Sequence, residues 1–92
     1  MTVRRVVLEI TGQVQGVGFR YRVLQIAGRF DVAGSVRNLR NGALEVDAEG
    51  EEDEVARFIA SVLENPPHSA QVAGTVQREE PPRYVSGFTV SP

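Results

Sequence analysis

The feature that most limits how this chain can fold is an Asn41-Gly42 pair lying between two strand-like segments. Both residues tolerate positive φ, so the pair predicts a two-residue type I′ hairpin. Beyond it Leu44, Val46 and Ala48 alternate with Glu45, Asp47 and Glu49, which predicts a strand with one wet face, ended by Gly50. Before it Ser35–Leu39 is the partner strand. Two stripes of helical period flank this hairpin. Val23, Ile26, Ala27 and Phe30 recur at i, i+3, i+4 and i+7, marking a helix that stops near Asp31. Val55, Phe58, Ile59, Val62 and Leu63 mark a second. That helix starts with four acids, Glu51 to Glu54, which suit its positive N-terminal end, and Asn65-Pro66-Pro67 breaks it.

The outer segments complete the pattern. Val6, Leu8 and Ile10 alternate with Val7, Glu9 and Thr11, predicting a first strand that ends at Gly12. Ala70 to Gln77 is a fourth strand and, after Pro81-Pro82, Tyr84 to Val90 a fifth. The order is βαββαβ with an extra short strand at the end. Two helices that must cover one face of a mostly antiparallel sheet make a two-layer α/β sandwich, of class α+β. With 92 residues there is room for one core, so residues 1–92 are expected to form a single domain.

Charge narrows the function. The net charge of −2 argues against a nucleic-acid or membrane-surface protein, which would show a basic excess. The distribution is uneven: seven of the ten basic residues fall in positions 4–40, whereas acids crowd positions 45–54. An anion site in an acidic protein fits that pattern. Every basic residue is arginine, whose planar fork suits phosphate or carboxylate, although genomic base composition accounts for it equally well. With no cysteine, disulfides, thiolate nucleophiles and cysteine metal sites are excluded. The apolar run after Arg4-Arg5 is too short for a signal peptide or a membrane span, so a cytoplasmic location is expected.

Gly12 to Phe19 links the first strand to the first helix. Backbone N–H groups in such a turn can converge on one anion, and the helix N-terminus adds partial positive charge. Gly16 and Gly18 let the backbone approach a ligand closely, and Arg20 supplies a forked, permanent cation. On its own the glycine pair also reads as a tight βα turn beside a surface arginine. A Walker loop is ruled out because the chain has no lysine, and a dinucleotide fingerprint starting at Gly16 would need glycine where Tyr21 stands.

The longer string resolves this. Gly12-x-Val14-Gln15-Gly16-Val17-Gly18-Phe19-Arg20, followed by Gly34-x-Val36-x-Asn38 and Asn41-Gly42, closely resembles the acylphosphatase family, with Glu49-Gly50 and Gly87-Phe88 extending the likeness along the chain. The resemblance implies a ferredoxin-like fold and a hydrolase that converts acyl phosphates to a carboxylate and inorganic phosphate. It further implies that the loop amides of Gln15, Gly16, Val17, Gly18 and Phe19, with the Arg20 guanidinium, bind the phosphoryl group while Asn38 holds the attacking water. No metal or other cofactor is called for. The carboxylate leaving group, whose conjugate acid has a pKa of about 4, departs without a general acid. Phosphoryl transfer is loose at its transition state, so the water needs positioning more than deprotonation. The expected partner is a small acyl phosphate, and the protein is expected to be a monomer that binds neither nucleic acid nor membrane. The chain departs from the family pattern at Phe30-Asp31-Val32-Ala33, at Ser35 and at Asn41, none of them catalytic.

Other residues carry less. His68, alone beside two prolines, is expected to be solvent-exposed. The acids at 51–54 lack EF-hand spacing. Tyr21 and Phe19 are candidates for contact with the acyl group, with core packing the better role for Phe19. Two alternatives remain. RNA-recognition modules share the layout, but their aromatic motif belongs on an exposed central strand, not at a loop–helix junction. Acylphosphatase-like domains of hydrogenase-maturation proteins are joined to much longer chains, whereas a chain ending at Pro92 is expected to stand alone.

Overall fold

The computed structural model describes residues 2–92. Its elements are β1 (Val3–Gln13), α1 (Phe19–Ala27), β2 (Val32–Asn38), β3 (Leu44–Glu51), α2 (Glu52–Glu64), β4 (Gln71–Glu80) and β5 (Phe88–Val90). The five strands form one sheet in the order β4-β1-β3-β2-β5. Every neighbouring pair is antiparallel except β2–β5, which is parallel. The expected ferredoxin-like α+β layout is therefore present, with both helices on one face.

Alternation builds the core. Val6, Leu8 and Ile10 of β1, Val36 of β2, and Leu44, Val46 and Ala48 of β3 point to the helix side. They meet Phe19, Val23 and Ile26 of α1, and Val55, Phe58 and Val62 of α2. Each large apolar side chain so buried contributes about 1.5–3 kcal/mol. Phe58 is the hub, with the rings of Phe30 and Phe88 edge-on at 6.1 and 5.5 Å. Phe30, a departure from the family pattern, thus still packs against the core behind α1. Leu63, expected in the buried stripe, is instead 38% exposed, because it lies at the edge of that stripe near the end of α2.

The hairpin differs from the expected type I′ turn. Gly42 has φ 92°, but Asn41 keeps a negative φ. The Gly42 amide donates to Leu39 O at 3.1 Å, and the Leu39 amide donates to Ala43 O at 2.8 Å. This is a three-residue loop, a type I turn closed by a glycine bulge. Asn41 contributes through its side chain, whose Oδ1 accepts from the Ala43 amide at 3.0 Å. Element ends shift too. β1 runs on through Gln13 past an irregularity at Thr11/Gly12, and α1 ends at Ala27 rather than near Asp31. β3 runs past Gly50 to Glu51, whose carboxylate then caps α2 by accepting from the Asp53 and Glu54 amides.

The largest correction concerns the wet face of β3. Asp47 and Glu49 are 5% and 4% exposed, so that face is covered. β4 and β5 lie at opposite edges of the sheet, and the connection at 81–87 crosses the face that the helices leave open. It also accounts for the short β5, which begins at Phe88 rather than Tyr84. The Arg83 and Tyr84 amides donate to the two oxygens of Glu49 instead of to a ladder, and Tyr84 takes φ 56°. Asp47 accepts a two-pronged contact from Arg5, at 3.0 and 2.8 Å, and a third bond from Arg83 at 3.0 Å. The hydrogen bond to Asp47 holds the Arg5 guanidinium above its already high ordinary pKa. Gly34 lets the sheet close at this level, because a Cβ there would stand 1.8 Å from Asp47 O.

Asp47→Ala removes the shared partner of two arginines, one of them only 15% exposed in its side chain. Stranding a charge in that setting is expected to cost about 3 kcal/mol of unfolding free energy. Urea denaturation checks this, and a loss below about 1 kcal/mol would show that the covered face contributes little.

Candidate active site

The turn between β1 and α1 is shaped by glycines in the left-handed region. Gly16 and Gly18 have φ 74° and 81°, and nothing lies within 4 Å of where either Cβ would stand. Space would admit a side chain; the backbone conformation is what disfavours one. Gly18 is the N-cap of α1 and provides no side-chain cap, so the first-turn amides of the helix stay available to an external acceptor.

Val14, Gly16, Gly18, Phe19, Arg20, Tyr21 and Asn38 line one cavity of about 100 Å³. The structure therefore brings Asn38, from the end of β2, to the loop and to Arg20. Asn38 lies on the helix side of the sheet, two positions after the buried Val36. Its Oδ1 is buried and has no hydrogen-bond partner among the described residues. A buried acceptor left unmatched costs about 1–3 kcal/mol, so its presence calls for an explanation.

Arg20 is half-buried, and its Nη1 donates to Ser91 O at 3.2 Å. Ser91 is itself fixed, since its amide donates to Val36 O at 2.8 Å just beyond the parallel β2–β5 pairing. No sequence motif marks this support, because it depends on a strand pairing more than fifty residues apart.

Gln15 and Val17 do not line the cavity. The Gln15 side chain reaches the hairpin, donating Nε2 to Leu39 O at 2.7 Å and to Ala43 O at 3.0 Å. Val17 is partly buried against the core. Phe19 is 2% exposed and belongs to the core, whereas Tyr21 is 70% exposed beside the cavity. His68 is exposed as expected. Among the described residues no group of three or more His, Asp or Glu side chains is arranged to hold a metal ion, and no helix is long and apolar enough to cross a membrane.

Comparison with known proteins gives one consistent result. The family model for acylphosphatase matches residues 6–90. An acylphosphatase of Methanospirillum hungatei is 40% identical over 87 residues, covering 95% of this chain and 96% of that protein. The crystal structure of acylphosphatase from Bacillus subtilis superposes with a TM-score of 0.88 at 30% identity, covering 98% and 99% of the two chains. HypF of T. kodakarensis also matches, with a TM-score of 0.85 at 28% identity, but the match spans 97% of this chain and only 12% of that one.

The Gln15 latch ties the loop to the hairpin through two backbone carbonyls. Gln15→Ala is expected to lower unfolding free energy by about 1 kcal/mol. Amide exchange across 14–18 should speed up as the loop loosens. Unchanged exchange there would mean that the latch does not hold the loop.

Proposed function

Since the chain belongs to the acylphosphatase family and is a hydrolase acting on acyl phosphates, we propose that it works without a metal ion, through the cavity between the β1–α1 turn and the end of β2. The observation that carries this reading is the buried, partnerless Asn38 Oδ1 beside Arg20 and the free helix N-terminus.

The phosphoryl group sits against the amides of the Gln15–Phe19 turn and the start of α1, and the Arg20 guanidinium neutralises its oxygens. Gln15 and Val17 contribute only backbone amides. Asn38 Oδ1 accepts a hydrogen bond from the attacking water, replacing the partner it lacks. The water oxygen forms a bond to phosphorus as the bond from phosphorus to the acyl oxygen breaks. The products are a carboxylate and inorganic phosphate, and the water's protons pass to phosphate and solvent. An amide suits this position better than a carboxylate, which would repel the anionic substrate. Fixed positive charge and held water supply most of the rate, since the leaving group needs no protonation.

The same reading makes the protein a cytoplasmic monomer that uses no cofactor and binds no nucleic acid, in keeping with its net charge of −2.

Acetyl phosphate and benzoyl phosphate hydrolysis test the assignment. Arg20→Ala is expected to lower kcat about 10³-fold. Asn38→Ala is expected to lower it about 10²- to 10³-fold. Both variants should keep the native far-UV spectrum, and EDTA should leave wild-type turnover unchanged. Wild-type-like turnover in either variant, or activity that requires added metal, would overturn the proposal.

A further inference from the structure

With the phosphoryl group held against the turn amides and Arg20, as proposed above, the acyl group extends toward the remaining lining of this cavity of about 100 Å³.

That lining includes Tyr21. It is the third residue of α1 and lines the cavity, yet is 70% exposed. Its neighbours in sequence are tied down: Arg20 Nη1 donates to Ser91 O, and Arg22 Nη1 donates to Asn65 O at 3.1 Å. Tyr21 has no such tie: among the described residues its hydroxyl makes no hydrogen bond and its ring stacks on no other ring. Leu24, three residues on and so adjacent on the helix surface, is also 37% exposed. Tyr21 thus stands exposed at the cavity, on the helix whose N-terminus faces the phosphate in the proposed mechanism. A tyrosine ring offers large contact area with few torsions to freeze, which makes it an economical recognition surface.

We infer that Tyr21 is the acyl-contacting residue, and that its ring sets how strongly the enzyme discriminates between aromatic acyl phosphates and acetyl phosphate. This rests on the phosphate site proposed above and adds the selectivity of that site. An acetyl group is too short to cover the ring, whereas a benzoyl group emerging from the cavity can lie against it. Ring-to-ring contact of this kind changes rates by about three- to tenfold.

The test measures kcat/KM for benzoyl phosphate and for acetyl phosphate in the wild type, Tyr21→Ala and Tyr21→Phe, with inorganic phosphate as a competing inhibitor. The benzoyl-to-acetyl ratio is expected to fall about three- to tenfold in Tyr21→Ala and to hold within twofold in Tyr21→Phe, which keeps the ring. An unchanged ratio in Tyr21→Ala would overturn the inference. So would an equal loss on both substrates with weaker phosphate inhibition, which would mean that Tyr21 shapes the phosphate cavity instead. A wild type that hydrolyses both substrates without competitive inhibition by phosphate would overturn the phosphate-site reading itself, and this inference with it.

Discussion

The structure depends on a single row of the sheet, in which Ile10 pairs with Leu44 and Leu44 with Asn38. β1 ends beyond this row in the glycine turn, and β2 ends on it. Because β3 is antiparallel to both, the two C-terminal ends lie at the same edge of the molecule, two strands apart. Asn38 shares the helix-facing side with Val36, whereas Arg37 faces the other way and pairs with Glu45 at 3.0 Å. A slip of one residue would exchange them. The site would then lose its buried amide and receive an arginine where the core begins. Under the proposed mechanism, register is thus a catalytic requirement as much as a structural one.

The register is defended from the side away from the helices. Asp47 and Glu49 would be costly to bury alone, and each is matched: Asp47 by two guanidinium groups, Glu49 by two backbone amides. Those amides belong to the segment that carries the chain from the β4 edge to the β2 edge. Fixing that segment sets where β5 begins, and β5 delivers Ser91 O to Arg20. A succession of contacts therefore runs from the buried Glu49 on one face of the sheet to the Arg20 side chain on the other. Gly34 completes it, since no residue with a side chain could lie so close to Asp47 O.

Much of this could be read in the residues themselves, and the failures share a cause. Alternation in β1 and β3, the 3.6-residue stripes and the glycine turn are local signals, and each matches an element of the fold. Asp47 and Glu49 read as solvated because alternation reports only which side of a strand a residue faces, not what later covers that side. The Tyr84–Val90 segment has strand composition, yet its first amides are taken by Glu49. Asn41-Gly42 allows a type I′ turn, but the Asn41 side chain can do more for the Ala43 amide from a negative φ. Arg20 and Asn38 were recognisable through the resemblance of their motifs, whereas Ser91 carries no motif. It acts through a carbonyl, which every residue has.

The partnerless Asn38 Oδ1 connects stability with function. A fold selected for stability alone would fill that position with an apolar side chain or give the amide a partner, recovering about 1–3 kcal/mol. The neighbouring positions show that the fold can satisfy such groups, since the Leu39 and Ala43 carbonyls both accept from Gln15. At Asn38 it does not, although the side chain stands at the end of an otherwise well-paired strand. Under the proposed mechanism the substrate water supplies the partner that this acceptor lacks among the described residues. Gly18 likewise leaves the start of α1 without a side-chain cap, and in the proposed mechanism the phosphoryl group takes that place. In that mechanism one phosphoryl group with its water meets both groups.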